Sequence, residues 1–357
     1  MAKFNGQLKA NEIFGALFNM IISQQVFTDN IKGTYSSLVD AAREEGSLYG
    51  DTKLYYATDC LKSSEWGDDA EAANLLKLYR PKAPECQAIT LDKFRQIALT
   101  TDNYLTKRAW GDEGAFASFN SAMKAWIPDT KKIYDSTTYN SFIGTVKTTK
   151  GKQAREIDLT AATTGLTGSE KANMRAQAIA QSIADLLVEM KDVSRDFNDY
   201  GFLRSYGDEE IKVIWNSKYV NEIKKIDLPA IFHKEGLMDK FEQYVLPSRY
   251  FGDIQTVAGT GNGTTIRSLV EKDYGDTHCF PGDIIPKTEA FKANEAYTVN
   301  DKVICKIVTK LPPFMSAFEV GTSFFNPKSL TETNYLTWGH NTLEYLSGKP
   351  LITITEK

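Results

Sequence analysis

The stretch DEGAFASFNSAMKAWIPDTKKIYDSTTYNSFIGT, residues 112–145, predicts one long amphipathic helix around which the other elements can be arranged. Its apolar side chains recur at steps of three and four residues, which places them on one helical face. They are Phe116, Phe119, Met123, Trp126, Ile127, Ile133, Tyr134, Tyr139, Phe142, Ile143 and, just beyond, Val146. Asp112 and Glu113 favour a helix start, and Gly144 favours its end.

Pro128 interrupts this pattern. Proline lacks a backbone N–H and clashes with the preceding turn, so we expect a kink or two helices that share one direction. Taken alone, the periodicity is equally typical of a core helix in any globular domain. Only the neighbouring elements can distinguish these interpretations.

The length and composition describe a folded chain of two or three structural units. It has 357 residues, of which 42% are hydrophobic and 25% charged, and this excludes a disordered chain. The 42 Lys and Arg residues are outnumbered by 46 Asp and Glu residues, for a net charge of −4. This balance argues against a dedicated nucleic-acid binder with a strongly basic surface, although it leaves room for a local basic patch.

The cysteines and the apolar runs indicate a reducing compartment and no membrane span. Cys60, Cys86, Cys279 and Cys305 form no closely spaced pair, so we interpret them as free thiols. No apolar run approaches the roughly 20 residues that a transmembrane helix needs. The first residues also lack the pattern of a secretory signal.

Residues 11–45 predict a first helical block. Its apolar stripe supplies four candidate intersubunit residues, Phe14, Leu17, Phe18 and Ile21. The block is either an ordinary domain helix or an arm that lies on a partner. After a break near Gly33, a second short helix should turn Leu38, Val39 and Ala42 inward.

Residues 51–104 predict a long two-stranded ribbon. A tyrosine-rich strand over 53–59 and an alternating strand over 89–101 flank a tip that contains Pro81 and Pro84. Such a ribbon is only marginally stable alone in water, so it either lies on another surface or belongs to a sheet of the main domain. The candidate intersubunit residues here are Tyr55, Tyr56, Trp66, Tyr79, Arg80 and Lys82.

A polar linker over 147–169 contains a basic cluster of Lys147, Lys150, Lys152 and Arg155. This cluster is a candidate DNA-facing patch, and the alternative is a solvated loop. Thr167 and Glu170 have the spacing of a capping box.

The capping box opens a second long helix. The buried face of this helix should comprise Ile179, Ile183, Leu186, Leu187, Met190 and Val193. Beyond it, the patterns predict strands over 210–215, 299–309, 315–320 and 351–355, a short helix from Ser217, and a helix with a loop over 227–250.

A search for catalytic or metal-binding motifs predicts no catalytic residue, no cofactor and no metal site. His233, His278 and His340 have no metal-ligand spacing. One loop clusters four possible metal ligands, but they make only an incomplete tetrahedral metal site: Asp273, Asp276, His278 and Cys279. The chain has no nucleophile elbow and no phosphate-binding glycine loop after a strand. An enzyme with an unrecognised site remains an alternative.

The order of these elements resembles the Hong Kong 97 fold of tailed-bacteriophage major capsid proteins. Residues 115–122 look like the start of the spine helix in small podovirus capsid proteins. Residues 204–226 are similar to the strand–helix step of their axial domain, and residues 53–101 match their extended loop in length, tyrosine content and proline-bearing tip. Pro128 within the spine departs from the family, and no charged helical extension precedes residue 11.

The resemblance implies an α+β fold with four parts. These are an N-terminal arm over 1–50, an extended loop over 51–105, a peripheral domain over 106–165 and 326–357, and an α/β axial domain over 166–325. The final strand at 351–355 is expected to pair within the peripheral domain that surrounds the spine helix.

The implied function is a non-enzymatic shell protein that assembles with itself into pentamers and hexamers of an icosahedral capsid. Such a protein encloses double-stranded DNA through diffuse contacts, works with a separate scaffolding protein and a portal, and contacts no membrane. It would reside in the virion after assembly in the bacterial cytoplasm. The alternatives are an encapsulin-type nanocompartment shell and a soluble α/β enzyme.

Overall fold

The computed structural model describes residues 37–46, 50–63, 78, 80–102, 113–148, 151–224, 241–255, 267–268, 271–274, 276–280, 283–284, 296–299 and 302–357. The apolar stripe predicted before residue 37 lies outside these ranges.

Five α-helices occur in the described residues: α1 Ser37–Ala42, α2 Glu113–Thr145, α3 Leu159–Ala162, α4 Gly168–Lys191 and α5 Ser217–Lys224. Two short 3-10 helices lie at Asp208–Glu210 and Ser248–Tyr250.

Fifteen strands accompany the helices in the same ranges. They are β1 Arg43–Glu45, β2 Thr52–Ala57, β3 Glu85–Asp102, β4 Ala154–Ile157, β5 Lys212–Asn216, β6 Glu242–Leu246, β7 Gly252–Gln255, β8 Arg267–Ser268, β9 Lys272–Tyr274, β10 Thr277–Cys279, β11 Ala296–Val299, β12 Val303–Val308, β13 Phe314–Asn326, β14 Thr331–Asn341 and β15 Leu351–Glu356.

Strand β3 links the predicted ribbon to a larger sheet. Its first part pairs with β2, from Ala57↔Glu85 to Thr52↔Thr90. Its second part pairs with β14 instead, from Asn341↔Leu91 to Thr331↔Asp102. The result is a five-stranded sheet in the order β1-β13-β14-β3-β2. The interpretation as a purely two-stranded excursion is therefore wrong, because the long return strand finds a second partner that was not predicted.

A second five-stranded sheet, in the order β4-β15-β12-β5-β6, lies between two groups of core side chains. Helix α4 packs on one face, and α1 with the C-terminal part of α2 packs on the other. Strand β12 is buried along its whole length because both of its faces are covered. Strand β6 lies within the range 227–250 that was predicted to form a helix and a loop, so that prediction is wrong for residues 242–246. Residues 227–240 lie outside the described residues.

The final strand β15 pairs with two partners. It is antiparallel to β12 and parallel to β4. One partner lies within the expected peripheral range and the other within the expected axial range. The boundaries of those domains stay a prediction.

Helix α4 confirms most of its predicted face. Its predicted core residues from Ile179 to Met190 are buried, whereas Val193 is 60% exposed. Val193 lies beyond the helix, which ends at Lys191, so the helical periodicity no longer applies there. Thr167 is the N-cap residue, as predicted, although its side chain makes no capping hydrogen bond. On α1, Leu38, Val39 and Ala42 are buried as predicted.

Helix α2 continues without interruption through Pro128 over 33 residues, so the two-helix alternative is wrong. Its buried face turns along its length. Tyr134 and Tyr139 are buried, but Trp126, which belongs to the predicted stripe, is 56% exposed. The drift is expected, since a straight helix of this length cannot keep one side-chain row aimed at one surface.

Gly144 lies where α2 comes closest to the 3-10 turn at 248–250. A Cβ atom built on Gly144 would lie 1.9 Å from the carbonyl oxygen of Tyr250. Alanine in a helix is ordinarily about 1 kcal/mol better than glycine, but an overlap with backbone outweighs this gain.

We expect Gly144→Ala to lower the free energy of unfolding by about 1–3 kcal/mol, because α2 must move away from its neighbour. Thermal or urea unfolding of the purified protein measures the change. Gly321→Ala is the matched control, since a Cβ atom there meets no atom within 4 Å. An equally small effect of both substitutions would show that α2 can shift freely.

Candidate assembly surface

The base of the ribbon exposes one of its two faces. Leu54 and Tyr56 on the outer face of β2 are 51% and 66% exposed. Tyr55 points the other way, donates a hydrogen bond of 2.8 Å to Glu44, and lies under the Lys310 ammonium at 4.9 Å from its ring centre. Tyr56 is thus free to meet another molecule, while Tyr55 has partners in its own subunit.

The other candidate intersubunit residues divide into two groups. Arg80 and Lys82 are exposed, and the Lys82 ammonium lies 4.7 Å from the centre of the Phe202 ring. Outside the described residues lie Phe14, Leu17, Phe18, Ile21, Trp66 and Tyr79. The assignment of all of these residues to an intersubunit surface stays a prediction.

The hairpin β13–β14 presents a second apolar surface, which the sequence analysis missed. Val320, Phe324, Phe325 and Leu330 are 40–61% exposed near its turn. Phe324 and Phe325 are adjacent in a strand, so their side chains emerge from opposite faces. Pairing with β1 covers only residues 314–316 of the outer edge of β13. The sequence signal for this surface was the pair Phe324 and Phe325 shortly before Pro327. The pair indicates exposure on both faces only once these residues are known to lie in a strand.

Beneath this sheet, a buried polar cluster joins α2 to β14. His340 is 4% exposed, and its Nδ1 lies 2.8 Å from the carbonyl oxygen of Asn341. A carbonyl only accepts, so Nδ1 carries the proton. In the neutral ring Nε2 then accepts the hydrogen bond of 2.8 Å from the Tyr134 hydroxyl. Burial lowers the pKa of His340 and so favours this neutral imidazole.

A buried carboxylate lies one residue further along α2. Asp135 is 1% exposed, and its Oδ2 lies 3.4 Å from both the Arg43 guanidinium and the Lys131 ammonium. Lys131 also reaches Glu319 of β13 at 3.2 Å. Burial raises the pKa of Asp135, and the neighbouring cations only partly oppose this effect. Helix α2 is therefore tied by charge to β1 and β13 as well as by packing to β14.

A cavity of about 430 Å³ adjoins these residues between α2, β3 and β14. Its lining includes Phe94, Phe142, Leu343 and His340. The lining is mostly apolar, and its Tyr134 and His340 side chains are hydrogen-bonded to each other. The cavity is best understood as part of the packing between helix and sheet.

The charge state of His340 gives a pH prediction. Its pKa in the folded chain lies below the unfolded value of about 6.5, so the unfolded chain takes up a proton first as the pH falls. Stability should then decrease from about pH 6.5 down to the lowered folded pKa. The raised pKa of Asp135 acts in the opposite direction, above its ordinary value of 3.8.

We expect His340→Gln to flatten the pH dependence of unfolding between about pH 7.5 and pH 5, since glutamine keeps a donor and an acceptor but does not titrate. Urea unfolding of wild type and variant across this range measures the difference. Parallel pH profiles would show that His340 does not control this dependence.

The predicted DNA-facing cluster is partly paired with acids. Lys152 lies 2.9 Å from Asp196, and Arg155 lies 3.3 Å from Glu189. Lys147 is exposed, and Lys150 lies outside the described residues. The ion pairs reduce the positive potential of this surface, and its contact with DNA stays a prediction.

Asp273, Asp276, His278 and Cys279 do not form a closed set of metal ligands, and the His278 ring instead contacts carboxylates. His278 lies 2.5 Å from Asp273 and 3.2 Å from Glu271. Within the described residues, no three His, Cys, Asp or Glu side chains converge as metal ligands. All four cysteines are free thiols, as predicted. No helix in the described part of the chain is long and apolar enough to cross a membrane.

Comparison of the sequence with protein-family models and with curated proteins gave no match. Comparison of the fold did. One chain in the capsid structure of Staphylococcus phage Andhra is similar over 95% of this chain and 87% of its own length, with 9% identity and a TM-score of 0.58.

A chain in the structure of the head fiber and inner core protein gp22 of native bacteriophage P68 gives a TM-score of 0.64 at 10% identity, over 95% of this chain and 89% of that one. At such low identity the likeness concerns the fold and leaves function to be argued separately. The chain thus has the mixed α+β fold of these bacteriophage structures.

Proposed function

We propose that this chain is the major capsid protein of a tailed bacteriophage, a subunit that assembles with itself into pentamers and hexamers of an icosahedral shell. The observation that carries the proposal is the fold similarity across 95% of the chain to a structure described as a phage capsid. The match extends over nearly the whole of both chains, so it is not limited to one common substructure.

The exposed strands support the proposal on physical grounds. A shell subunit needs surfaces that are incomplete until a neighbour covers them. The β2–β3 ribbon and the β13–β14 hairpin both carry large apolar side chains in solvent, among them Tyr56 and Phe324. Contiguous exposed apolar surface ordinarily marks an interaction site, and open strand edges invite pairing with another chain.

In this proposal, the chain adopts a Hong Kong 97-type arrangement. Helix α2 is the spine of a peripheral domain over 106–165 and 326–357, and β2 with the start of β3 is the base of the extended loop over 51–105. Residues 1–50 are the arm, and residues 166–325 form the axial domain. The joint between α2 and the β13–β14–β3 strands supports the assignment of α2, because a spine must hold a sheet along its length.

The proposed environment follows from the same function. The shell encloses double-stranded DNA through weak, non-specific contacts, for which the partly paired surface around Lys147, Lys152 and Arg155 is suited. Assembly takes place in the bacterial cytoplasm with a separate scaffolding protein and a portal. The protein acts structurally in the virion, without enzymatic activity.

Two other functions remain to be compared. An encapsulin-type shell would share the overall fold, and a soluble enzyme would need a site that the sequence did not reveal. No observation in the described residues favours either one. Negative-stain microscopy of the protein, expressed alone and with its gene neighbours, separates a shell protein from a soluble enzyme. Closed particles or tubes support a shell, whereas a uniform monomer or dimer overturns the proposal.

The N-terminal arm supplies one assembly prediction. We expect Phe18→Asp to block particle formation more than it lowers the melting temperature of the subunit. The reason is that a charge replaces a side chain whose full burial is worth about 1.5–3 kcal/mol. Sedimentation measures assembly, and calorimetry measures the subunit, with Phe18→Leu as the control. Normal particles from Phe18→Asp would exclude this residue from an intersubunit contact.

The tip of the ribbon supplies a second assembly prediction. We expect replacement of residues 63–81 with a short Gly-Ser turn to leave a folded subunit that no longer forms shells. The paired strands β2 and β3 are retained, while the proposed contact area is lost; stable interfaces bury on the order of 1,200–2,000 Å². A cooperative melt without particles is the expected result. Particles of normal size would show that the tip is not an intersubunit clamp.

A further inference from the structure

The ribbon has an outgoing leg, which follows β2, and a returning leg, which leads into β3. Both legs contact one loop of the same chain near the base of the ribbon. The loop, residues 194–204, follows helix α4 and is closed by a backbone bridge between Ser194 and Arg204. Asn198 braces it by hydrogen bonds of 2.7 and 2.9 Å to the backbone of Phe202. Phe202 itself is 1% exposed, so the loop is a firm part of the body.

The outgoing leg is held by Asp59, two residues beyond the end of β2. Its Oδ1 accepts a 3.0 Å hydrogen bond from the backbone N–H of Leu203, and its Oδ2 lies 2.8 Å from the Arg195 guanidinium. The neighbouring carbonyl of Thr58 accepts a hydrogen bond from Arg204. Three contacts therefore converge on two consecutive residues of the ribbon.

The returning leg meets the same part of the body. Lys82 stacks over Phe202, and Gln87 of β3 donates a 2.9 Å hydrogen bond to the carbonyl of Tyr345 and accepts one of 3.0 Å from Ser347. The backbone N–H of Asp199, in the 194–204 loop, donates a 2.9 Å hydrogen bond to the carbonyl of Ser347. The two legs are thus attached to loops that are attached to each other.

We propose that Asp59 is a positioning residue that fixes the direction in which the ribbon leaves the subunit. The Asp59 carboxylate connects the ribbon, two residues beyond the end of β2, to the 194–204 loop. The direction of residues 60–63 is thereby set before any neighbour is present. Presetting this direction would reduce the ordering cost of assembly, as preorganisation does in other interfaces. The assembly part of this inference rests on the proposed shell function, whereas the clamp within the subunit does not.

Loss of Asp59 should matter more than loss of Arg195, because Asp59 makes the backbone contact as well as the ion pair. The side chain of Arg195 is 52% exposed, and exposed ion pairs contribute little because water and salt screen them. The Asp59 side chain is only 13% exposed, and a carboxylate that accepts from backbone N–H groups forms stronger, charge-assisted hydrogen bonds. The hydrogen bonds from Arg195 and Leu203 lower the pKa of Asp59 to about 2, so the clamp stays charged at neutral pH.

Hydrogen exchange of the full-length subunit tests the clamp directly. Asp59→Ala should accelerate amide exchange in residues 52–60 and 85–90 several-fold, and Arg195→Ala should do so to a smaller extent. Asp92→Ala is the matched control, because Asp92 also accepts two hydrogen bonds, both 2.7 Å long and both from Thr342, but on the part of β3 that pairs with β14. Unchanged exchange at 52–60 in Asp59→Ala would overturn the clamp.

Electron microscopy of the same variants tests the positioning role. Asp59→Ala should give fewer particles, or particles of uneven diameter, while Asp92→Ala assembles as wild type does. Faster exchange together with normal particles would overturn the positioning role and leave the shell function intact. Absence of particles from wild type, co-expressed with its gene neighbours, would overturn the shell function and with it the positioning role, whereas the exchange result would still decide the clamp.

Discussion

The packing of helix α2 against two different sheets is the contact on which the rest of the structure depends. At about 1.5 Å per residue, its 33 residues span roughly 50 Å, which is more than one compact core requires. Tyr134 packs edge-on against Trp338 of β14 at 5.8 Å, and one turn later Tyr139 packs edge-on against Phe314 at 6.1 Å. Ile143, a further turn on, belongs to the core that covers β12 and β15. The two sheets therefore keep a fixed relation because one rigid rod touches both.

The charged groups at this joint contribute specificity more than stability. Replacing a buried ion pair by apolar side chains is often neutral or stabilising, because desolvation offsets the attraction. Asp135 illustrates the cost, since its Oδ1 is buried without a hydrogen-bond partner. Lys131 and Asp135 lie one helical turn apart and reach Glu319 and Arg43 from two different strands. A shift of the helix by one turn would leave a buried charge unpaired, so these contacts select one register of helix on sheet.

Local patterns in the sequence predicted several elements of the compact part. The faces of α1 and α4, the N-cap at Thr167 and the position of β15 follow from periodicity and capping, which depend on neighbouring residues. Strand β14 was missed because both faces of its distal half are only partly covered, so TETNYLTWGHN shows no alternation. Its pairing with β3 joins residues more than 200 positions apart, which no local pattern records. Of the candidate surface, Tyr56 follows from its strand, whereas Phe324 and Phe325 become visible only once β13 has a partner.

The distribution of apolar side chains divides the chain into a part whose apolar surface is covered and a part whose apolar surface stays exposed. Around β12 both faces are covered, and its six residues are all buried. Most of the large apolar side chains that remain exposed in the described residues lie on the ribbon and the β13–β14 hairpin. Both are extended strands that join the body at one end, so neither can fold back and cover its own surface. Burial of each such side chain is worth about 1.5–3 kcal/mol, and this free energy becomes available only when another molecule meets these strands. The compact part therefore folds the chain, and the extended part offers the surface for the assembly that we propose.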